Sequence, residues 1–179
     1  NVIQADALKF DFASLKKKKK IRLIGNLPYH ISTPLLFHLL EFSGIFHDFH
    51  VMVQKEVADR MVSNHNNKTY GRLSVAIQSR CSTSKILDVK PGAFHPKPRV
   101  LSSIVKLEPK KPLEDKVQSK LDGIIKMAFN QRRKKIRNSL KDLFTTEMII
   151  GSGIDPNARA ENLSVNDYIR LSEIERSTQ

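Results

Sequence analysis

The sequence predicts an α/β fold followed by a small all-helical domain, on three observations. The apolar run Ile21–Ile24 stops abruptly at Gly25, which is typical of a buried strand that ends in a rigid loop. Strand-like and helix-like segments then alternate, as they do in a parallel α/β sheet. Beyond the proline- and lysine-rich stretch Glu108–Pro112 the pattern is only helical, so we place domains at residues 1–109 and 113–179.

The first domain is predicted to alternate strands with helices. The segment Ile31–Phe42 has Ser32 or Thr33 as its N-cap candidate, a proline in its first turn and leucines on one face, which is typical of an amphipathic helix. The spacing in Gly71–Ser82 does not separate helix from strand, and we assign a helix because βαβ order requires one here. We predict strands at residues 1–4, 21–24, 49–53, 85–89 and 102–107, and helices at residues 31–42, 55–62 and 71–82.

The second domain is predicted to be helical throughout. Residues 116–129 place apolar side chains on one stripe, and segment 130–141 keeps apolar residues at a four-residue interval. Ser164 and Asp167 form a variant of the capping box ahead of the last helix. Short helices are predicted at residues 146–150, 157–162 and 164–174.

Basic side chains concentrate on the predicted helix 130–141. Residues 123–141 contain seven basic side chains and no acidic one. A packed helix would hold these charges in a fixed array, and arginine pairs bidentately with phosphate, so the pattern favours nucleic-acid binding. The side chains to which we assign that binding are Arg132, Arg133, Lys134, Lys135, Arg137 and Lys141. The lysine run at 16–20 is predicted to be a solvated loop, with a sequence-independent attraction to phosphates as the alternative.

Composition narrows the class of protein. The 179 residues carry 31 Lys and Arg against 18 Asp and Glu, a net charge of +13, which indicates a polyanionic partner such as nucleic acid or an anionic membrane surface. No apolar run approaches the roughly 18 residues that span a bilayer, and the single Cys81 fits a reducing compartment, so we expect a cytoplasmic protein. Neither paired cysteines nor a histidine cluster with ligand spacing is present, so no metal site is predicted.

The loop Gly25–Tyr29 offers a specific chemistry. The Asn26 side-chain oxygen and the Leu27 carbonyl can accept hydrogen bonds from one NH₂ group, and Tyr29 supplies a flat face for an aromatic ring. This set suits an adenine that presents its exocyclic amine. In the alternative interpretation, Pro28 only fixes φ in a strand-to-helix turn and Tyr29 packs in the core. These residues alone leave the two interpretations balanced.

Two further positions are candidates beside that loop. Asp6, just past the first predicted strand, can accept from an amine or a ribose hydroxyl of a nucleotide-like cofactor, or it can merely cap a short turn. Phe94 lies in a segment held extended by three prolines, and we favour stacking on a flat ligand over filling a gap in the core.

Taken together, these motifs resemble those of the bacterial ribosomal RNA small-subunit adenine dimethyltransferases, the KsgA family. The matching blocks run in family order over essentially the whole chain: Gly25–Tyr29, Ile31–Leu35, Gln54–Val57, Tyr70–Val75, Phe94–Val100, Phe129–Lys134, Gly153–Pro156 and Arg159–Glu161. The resemblance implies a Rossmann-like class I methyltransferase sheet, its N-terminal strands missing from this chain, followed by a small helical RNA-binding domain.

The resemblance also implies an activity, namely S-adenosylmethionine-dependent N6,N6-dimethylation of two adjacent adenines. These adenines lie in the hairpin loop near the 3′ end of 16S rRNA and are modified late in ribosome assembly. By family position the catalytic residues are Asn26, Leu27, Pro28, Tyr29 and Phe94, and the cofactor-binding residues are Asp6, Ala7 and Asn26. The first two catalytic residues would hold the target amine, and the two aromatic rings would sandwich the flipped base. The implied partner is the immature small ribosomal subunit, bound by a monomer without membrane contact.

The sequence departs from the family pattern in two respects. The chain opens without Met in a strand-like segment and has no glycine-rich cofactor loop, so we expect it to be a C-terminal portion of a longer chain. His30 stands where many members have Asn, and we expect it to be tolerated. Two alternative functions are a ribosome-assembly factor that binds RNA with little or no catalysis, and a large-subunit rRNA adenine-N6 methyltransferase.

Overall fold

The computed structural model describes residues 1–174, which fall into two compact units. The sheet unit consists of residues 1–62 and 80–110. The helical unit consists of residues 63–79 and the described residues from 111 onward. The α/β fold with a following helical part, predicted from the sequence, is confirmed.

One segment lies in a different unit from the one that its sequence position suggests. The continuous division at residues 109–113 assigns residues 63–79 to the first domain, whereas the structure places them in the helical unit. Tyr70 and Val75, both buried, belong to the apolar core of the helices. The burial of Tyr70 and Val75 therefore explains why residues 63–79 belong to the helical unit. A single boundary along the chain cannot divide the two units, because the helical unit takes in this earlier segment.

The sheet unit contains four strands and two α-helices. The strands are β1 (Ile21–Asn26), β2 (Phe46–Gln54), β3 (Cys81–Val89) and β4 (Ser102–Pro109). The helices are α1 (Ser32–Glu41) and α2 (Lys55–Val62), and short 3₁₀ turns cover Phe12–Leu15, Ser43–Ile45 and Pro91–Ala93.

The helical unit contains five α-helices in its described part. They are α3 (Arg72–Gln78), α4 (Asp115–Asn130), α5 (Ile136–Ser139), α6 (Thr146–Gly151) and α7 (Val165–Glu173), with a 3₁₀ turn at Ala160–Asn162. The apolar stripe of α4 is buried as predicted and packs with residues of α3 and α7. The predicted capping box is confirmed, since the Ser164 N–H donates to the Asp167 carboxylate at 2.7 Å and the Asp167 N–H donates to the Ser164 hydroxyl at 3.2 Å.

The strand order β1-β2-β4-β3 brings several loops to one edge of the sheet. Strands β1 and β2 are parallel, joined through α1, and the remaining pairs are antiparallel. Ser102, at the start of β4, is in register with both Gln54 and Val89, which end β2 and β3. The carboxyl ends of three strands and the beginning of the fourth therefore meet at the edge where ligands bind in open α/β sheets.

The two faces of the sheet differ in burial. Phe49, Val51 and Val53 alternate along the buried face of β2. On the other face Ile24 is 78% exposed, and a cavity of about 440 Å³ is lined by Arg22, Ile24, Gly25, Asn26, His50, Met52, Ile86 and Ile104. This face leaves apolar surface uncovered in the described part of the chain.

Two element predictions for the first predicted domain are wrong. Residues 1–4 form no strand, and Val2 is 99% exposed, because no described strand pairs with them. The predicted helix 71–82 ends at Gln78, since Cys81 already pairs with Pro109 as the first residue of β3. Pairing partners that are distant in sequence decide both positions.

The predicted basic helix 130–141 is also wrong. Helix α4 ends at Asn130, a turn follows, and α5 contributes only one turn. The reason is a competing set of backbone hydrogen bonds: Lys135 pairs with Arg159 in an antiparallel bridge, and the Ile136 N–H donates to the Ala158 carbonyl at 2.7 Å. The basic side chains therefore lie on an irregular segment and not along one continuous helix.

An ion pair between the exposed Arg22 and the buried Asp48 links β1 and β2 on the open face. The Asp48 side chain is 1% exposed and accepts from Arg22 Nε at 2.7 Å and Nη2 at 2.8 Å, with the Nδ1 atoms of His47 and His50 at 3.4 and 3.5 Å. The hydrogen bond from Arg22 is the main cause that holds the pKa of Asp48 below its usual value, against the opposing effect of burial. The native carboxylate therefore resists protonation.

Asp48→Asn is expected to lower the free energy of unfolding most at neutral pH. A depressed carboxyl pKa contributes stability above the unfolded pKa of about 3.9, and this stability is lost as the pH falls through the native pKa. The difference between wild type and variant should therefore shrink below about pH 4. Denaturant unfolding at several pH values measures it, with exposed Asp142→Asn as the control. A difference that stays constant from pH 7 to pH 3 would contradict the assignment.

Candidate active site and basic segment

The loop that follows β1 is fixed by backbone hydrogen bonds. The Leu27 N–H donates to the Met52 carbonyl at 3.1 Å, which ties the loop to β2. The Ile31 N–H donates to the Pro28 carbonyl, also at 3.1 Å, and closes a turn. The loop is therefore held in one conformation at the carboxyl edge of the sheet.

The start of α1 differs from the expected cap. Ile31 is the N-cap residue, and neither Ser32 nor Thr33 serves as one. The Ser32 hydroxyl instead donates to the Tyr29 carbonyl at 3.1 Å. This hydroxyl therefore stabilises the loop ahead of the helix.

Asn26 presents unused hydrogen-bonding groups at this edge. Its side chain is exposed, and within residues 1–174 the structure shows no hydrogen bond to its amide group or to the Leu27 carbonyl. Leu27 itself is 6% exposed, so its buried side chain anchors the backbone that carries the carbonyl. Two oxygen acceptors on adjacent residues are thus available to one amine donor.

Tyr29 is anchored by a residue that the sequence does not identify. Its hydroxyl lies 2.5 Å from the hydroxyl of Ser102, a buried residue at the start of β4. The ring is only half-buried, so part of its surface remains available for stacking. No local sequence signal connects Tyr29 with Ser102, because the two residues meet only through the strand order.

Phe94 lies at the same edge of the sheet. It follows the 3₁₀ turn Pro91–Ala93, in the connection between the end of β3 and the start of β4. Its N–H donates to the Pro91 carbonyl at 3.2 Å, and its side chain is half-buried. The structure therefore brings the Asn26–Tyr29 loop and Phe94 to one edge, as the predicted site requires.

The predicted cofactor residues lie outside regular structure. Asp6 is exposed, and its Oδ1 accepts from the Leu8 N–H at 3.0 Å, so it caps a short turn. The neighbouring Ala7 is half-buried, and the lysine run 16–20 is exposed throughout. The capping contact leaves Oδ2 of Asp6 without a partner in the described residues.

The basic side chains of the helical unit fall into two groups. Arg133, Lys134 and Lys141 are exposed, and within the part of the chain that the structure describes they have no ion-pair partner. Arg132 instead donates from Nε to Glu161 Oε2 and from Nη2 to the Lys68 carbonyl, each at 2.7 Å. Lys135 Nζ donates to Asn157 at 3.1 Å, and Arg137 is half-buried. The sequence gives no signal for the Arg132 contacts.

Within residues 1–174 the structure shows neither a membrane-spanning helix nor a metal-binding cluster. None of the helices within residues 1–174 combines the length and apolarity needed to cross a bilayer. In the same residues no three His, Cys, Asp or Glu side chains are grouped so that they could hold a metal ion.

Comparison with known families decides how this chain is classified. The family described as "Ribosomal RNA adenine dimethylase" matches residues 1–176. The chain belongs to this family. Members of the adenine dimethylase family named "Ribosomal RNA small subunit methyltransferase A" share 50% identity over 176 residues in Idiomarina loihiensis and 48% over 173 residues in Dechloromonas aromatica. These alignments cover 96% of this chain and 60% and 67% of the two relatives.

One solved structure agrees with the adenine dimethylase assignment, and a second agrees in fold. A dimethyladenosine transferase from Plasmodium falciparum has a TM-score of 0.77 and 27% identity, covering 94% of this chain and 70% of that one. The 23S rRNA methyltransferase ErmE has a TM-score of 0.71 at 19% identity, covering 96% and 70%, and shows likeness of fold alone. The Rossmann-like methyltransferase fold expected from the sequence is confirmed.

Proposed function

We propose that this protein is an S-adenosylmethionine-dependent enzyme that dimethylates N6 of two adjacent adenines in the 3′-terminal hairpin loop of 16S rRNA. The observation that carries the proposal is the pair of unused acceptors on Asn26 and Leu27, in the segment that also carries the half-buried ring of Tyr29. We place the reaction in the cytoplasm, on immature small subunits, with the enzyme acting as a monomer.

The two acceptors are suited to activate a poor nucleophile. The lone pair of adenine N6 is delocalised into the ring, so the amine is planar and unreactive. Hydrogen bonds from its two N–H groups to Asn26 Oδ1 and the Leu27 carbonyl favour a pyramidal nitrogen whose lone pair is free to attack. The backbone contact of Leu27 with Met52 holds the second acceptor in place.

The aromatic side chains hold the base out of the RNA. Extrusion of a base costs a few kcal/mol, and stacking returns about 1 to 3 kcal/mol for each aromatic partner. Tyr29, anchored on Ser102, and Phe94, on the stiff proline-rich connection, supply the two faces. In-line positioning of the nitrogen then supplies up to roughly 7 to 11 kcal/mol of the barrier reduction.

Asp6 offers an acceptor to the proposed cofactor. The exposed carboxylate of Asp6 has one oxygen engaged with Leu8 and the other available to an amine, which fits the adenine moiety of S-adenosylmethionine. Ala7 and Asn26 would line the same cofactor. When bound, the cofactor would supply a methyl group attached to a sulfonium sulfur, which leaves as a neutral thioether.

The basic residues of the helical unit are proposed to bind rRNA. Exposed cations contact phosphates without regard to sequence and raise the association rate. The side chains proposed for direct phosphate contacts are Arg133, Lys134, Lys135, Arg137 and Lys141.

Mass spectrometry of rRNA from a gene-deletion strain tests this function. We expect loss of N6,N6-dimethyladenosine from the 3′-terminal hairpin of 16S rRNA and its return on complementation. Loss from large-subunit rRNA would instead indicate a large-subunit enzyme. Unchanged rRNA with slowed subunit maturation would indicate an assembly factor that does not methylate.

A further inference from the structure

A hydrogen-bond network joins three surface segments within the helical unit. Arg132 links the turn after α4 to Glu161 through Nε and to the Lys68 carbonyl through Nη2, each at 2.7 Å. Glu161 lies in the 3₁₀ turn Ala160–Asn162, and Lys68 belongs to the loop before α3. One guanidinium therefore bridges two segments that are far apart in sequence.

The loop is held to the 3₁₀ turn by further contacts. The Asn66 N–H donates to the Glu161 carbonyl at 2.8 Å, and Asn162 Nδ2 donates to Asn66 Oδ1 at 2.9 Å. Asn66 has φ of 64°, a left-handed conformation that asparagine tolerates better than most residues. These contacts fix a loop whose residues 64–69 are all exposed.

The turn itself is also anchored at its far end. The Lys134 N–H donates to the Gln131 carbonyl at 2.8 Å, and Lys135 pairs with Arg159. Arg133 and Lys134 thus lie between the engaged Arg132 side chain and the 135–159 bridge. Within residues 1–174 the side chains of Arg133 and Lys134 form no hydrogen bond or ion pair. The Arg132 side chain, in contrast, donates its hydrogen bonds to other residues of the helical unit.

We infer that Arg132 is a positioning residue, which joins the turn 131–134 to the loop 64–68 as one phosphate-binding surface. Arg133 and Lys134 supply the cations of the turn, and Lys68 supplies that of the loop. The inference rests on the proposed RNA-binding function and gives Arg132 a role different from direct phosphate contact. Its bridge uses two donor nitrogens, Nε and Nη2, which the planar guanidinium holds apart, whereas lysine carries all its donors on one nitrogen.

Glu161→Gln gives the sharpest test, because charge and positioning predict opposite results. The substitution removes one negative charge, so electrostatics alone predicts tighter RNA binding. The neutral amide removes the ion pair and weakens the hydrogen bond to Arg132 Nε, so positioning predicts binding about fivefold weaker. Glu114→Gln is the matched control, since the exposed Glu114 side chain has no hydrogen bond or ion pair within residues 1–174 and undergoes the same change of charge.

Arg132→Lys gives an independent readout. It preserves the positive charge but cannot bridge Glu161 and the Lys68 carbonyl, so we expect it to bind RNA as weakly as Arg132→Gln. Retention of wild-type affinity by Arg132→Lys would show a direct phosphate contact and overturn the inference. The same variant is expected to speed hydrogen exchange of the Asn66 amide, which needs no RNA to measure.

Binding is measured with the synthetic 3′-terminal hairpin of 16S rRNA, over a range of salt concentrations and with thermal unfolding as the check on folding. Weaker binding by Glu161→Gln with Glu114→Gln at or above wild-type affinity supports the inference. Equal or tighter binding by Glu161→Gln overturns it, as does a wild-type chain that does not bind the hairpin. Unchanged rRNA methylation in the deletion strain would remove the proposed reaction but not this result, because binding is measured without cofactor.

Discussion

Asn26→Ala is expected to lower kcat for methyl transfer by about 10²- to 10³-fold, the usual effect of removing one preorganised hydrogen-bonding group at a reacting centre. The variant loses the side-chain acceptor for the adenine amine and keeps the Leu27 carbonyl. RNA affinity should stay near the wild-type value, since the proposed phosphate contacts lie in the helical unit. The effect should therefore appear in kcat and not in binding.

Single-turnover transfer of labelled methyl groups to small subunits from the deletion strain measures this effect. Asn26→Asp is the conservative variant, because it keeps an oxygen acceptor in place, and we expect it to retain more activity than Asn26→Ala. Wild-type turnover in Asn26→Ala would refute the role of the side chain. Equal losses in both variants would show that the amide acts otherwise than as an acceptor.

Ile136→Ala is expected to lower the free energy of unfolding by about 2 to 5 kcal/mol, the usual cost of truncating a fully buried aliphatic side chain. Ile136 is 0% exposed and belongs to the core of the helical unit, although it directly follows four exposed basic residues. Its side chain anchors the backbone from which these cations project. The lower free energy of unfolding has two causes: the burial free energy of the removed methyl and methylene groups is lost, and a cavity remains in the core.

Denaturant unfolding measures the change, and the chain offers a matched control. Ile150 is 56% exposed, so Ile150→Ala should change the free energy of unfolding by no more than about 0.5 kcal/mol. Similar losses in the two variants would contradict the assigned burial. RNA binding should be compared only at temperatures where Ile136→Ala is folded, so that stability and affinity are separated.

Elements with a strong local signal could be predicted from the sequence. The stripe of α4, the strand ahead of Gly25 and the capping box of Ser164 all depend on residues within a few positions of one another. The structure confirms the stripe, the capping box and the presence of the strand. The strand is not buried as predicted, however, since it continues to Asn26 and its residues alternate between half-buried and exposed. Local periodicity and capping chemistry suffice where no distant segment competes for the same backbone groups.

Elements that depend on distant partners could not be predicted. Residues 1–4 have a strand-like composition but no described neighbour to pair with, and the basic segment 130–141 pairs its backbone with residues 156–159 instead of continuing a helix. Segment 63–79 joins the helical unit because Tyr70 and Val75 are buried there. In each case a contact between segments far apart in sequence overrides the local pattern.

The sequence by itself determined the family motifs, the α/β class and the position of the candidate site at Asn26–Tyr29, because each depends on residues that are neighbours along the chain. Only the tertiary structure decided that Ser102 anchors Tyr29, that Phe94 shares its sheet edge, and that Arg132 is engaged with Glu161. The physical reason is that strand order and hydrogen bonds between distant segments bring these side chains together, and no spacing along the chain encodes them.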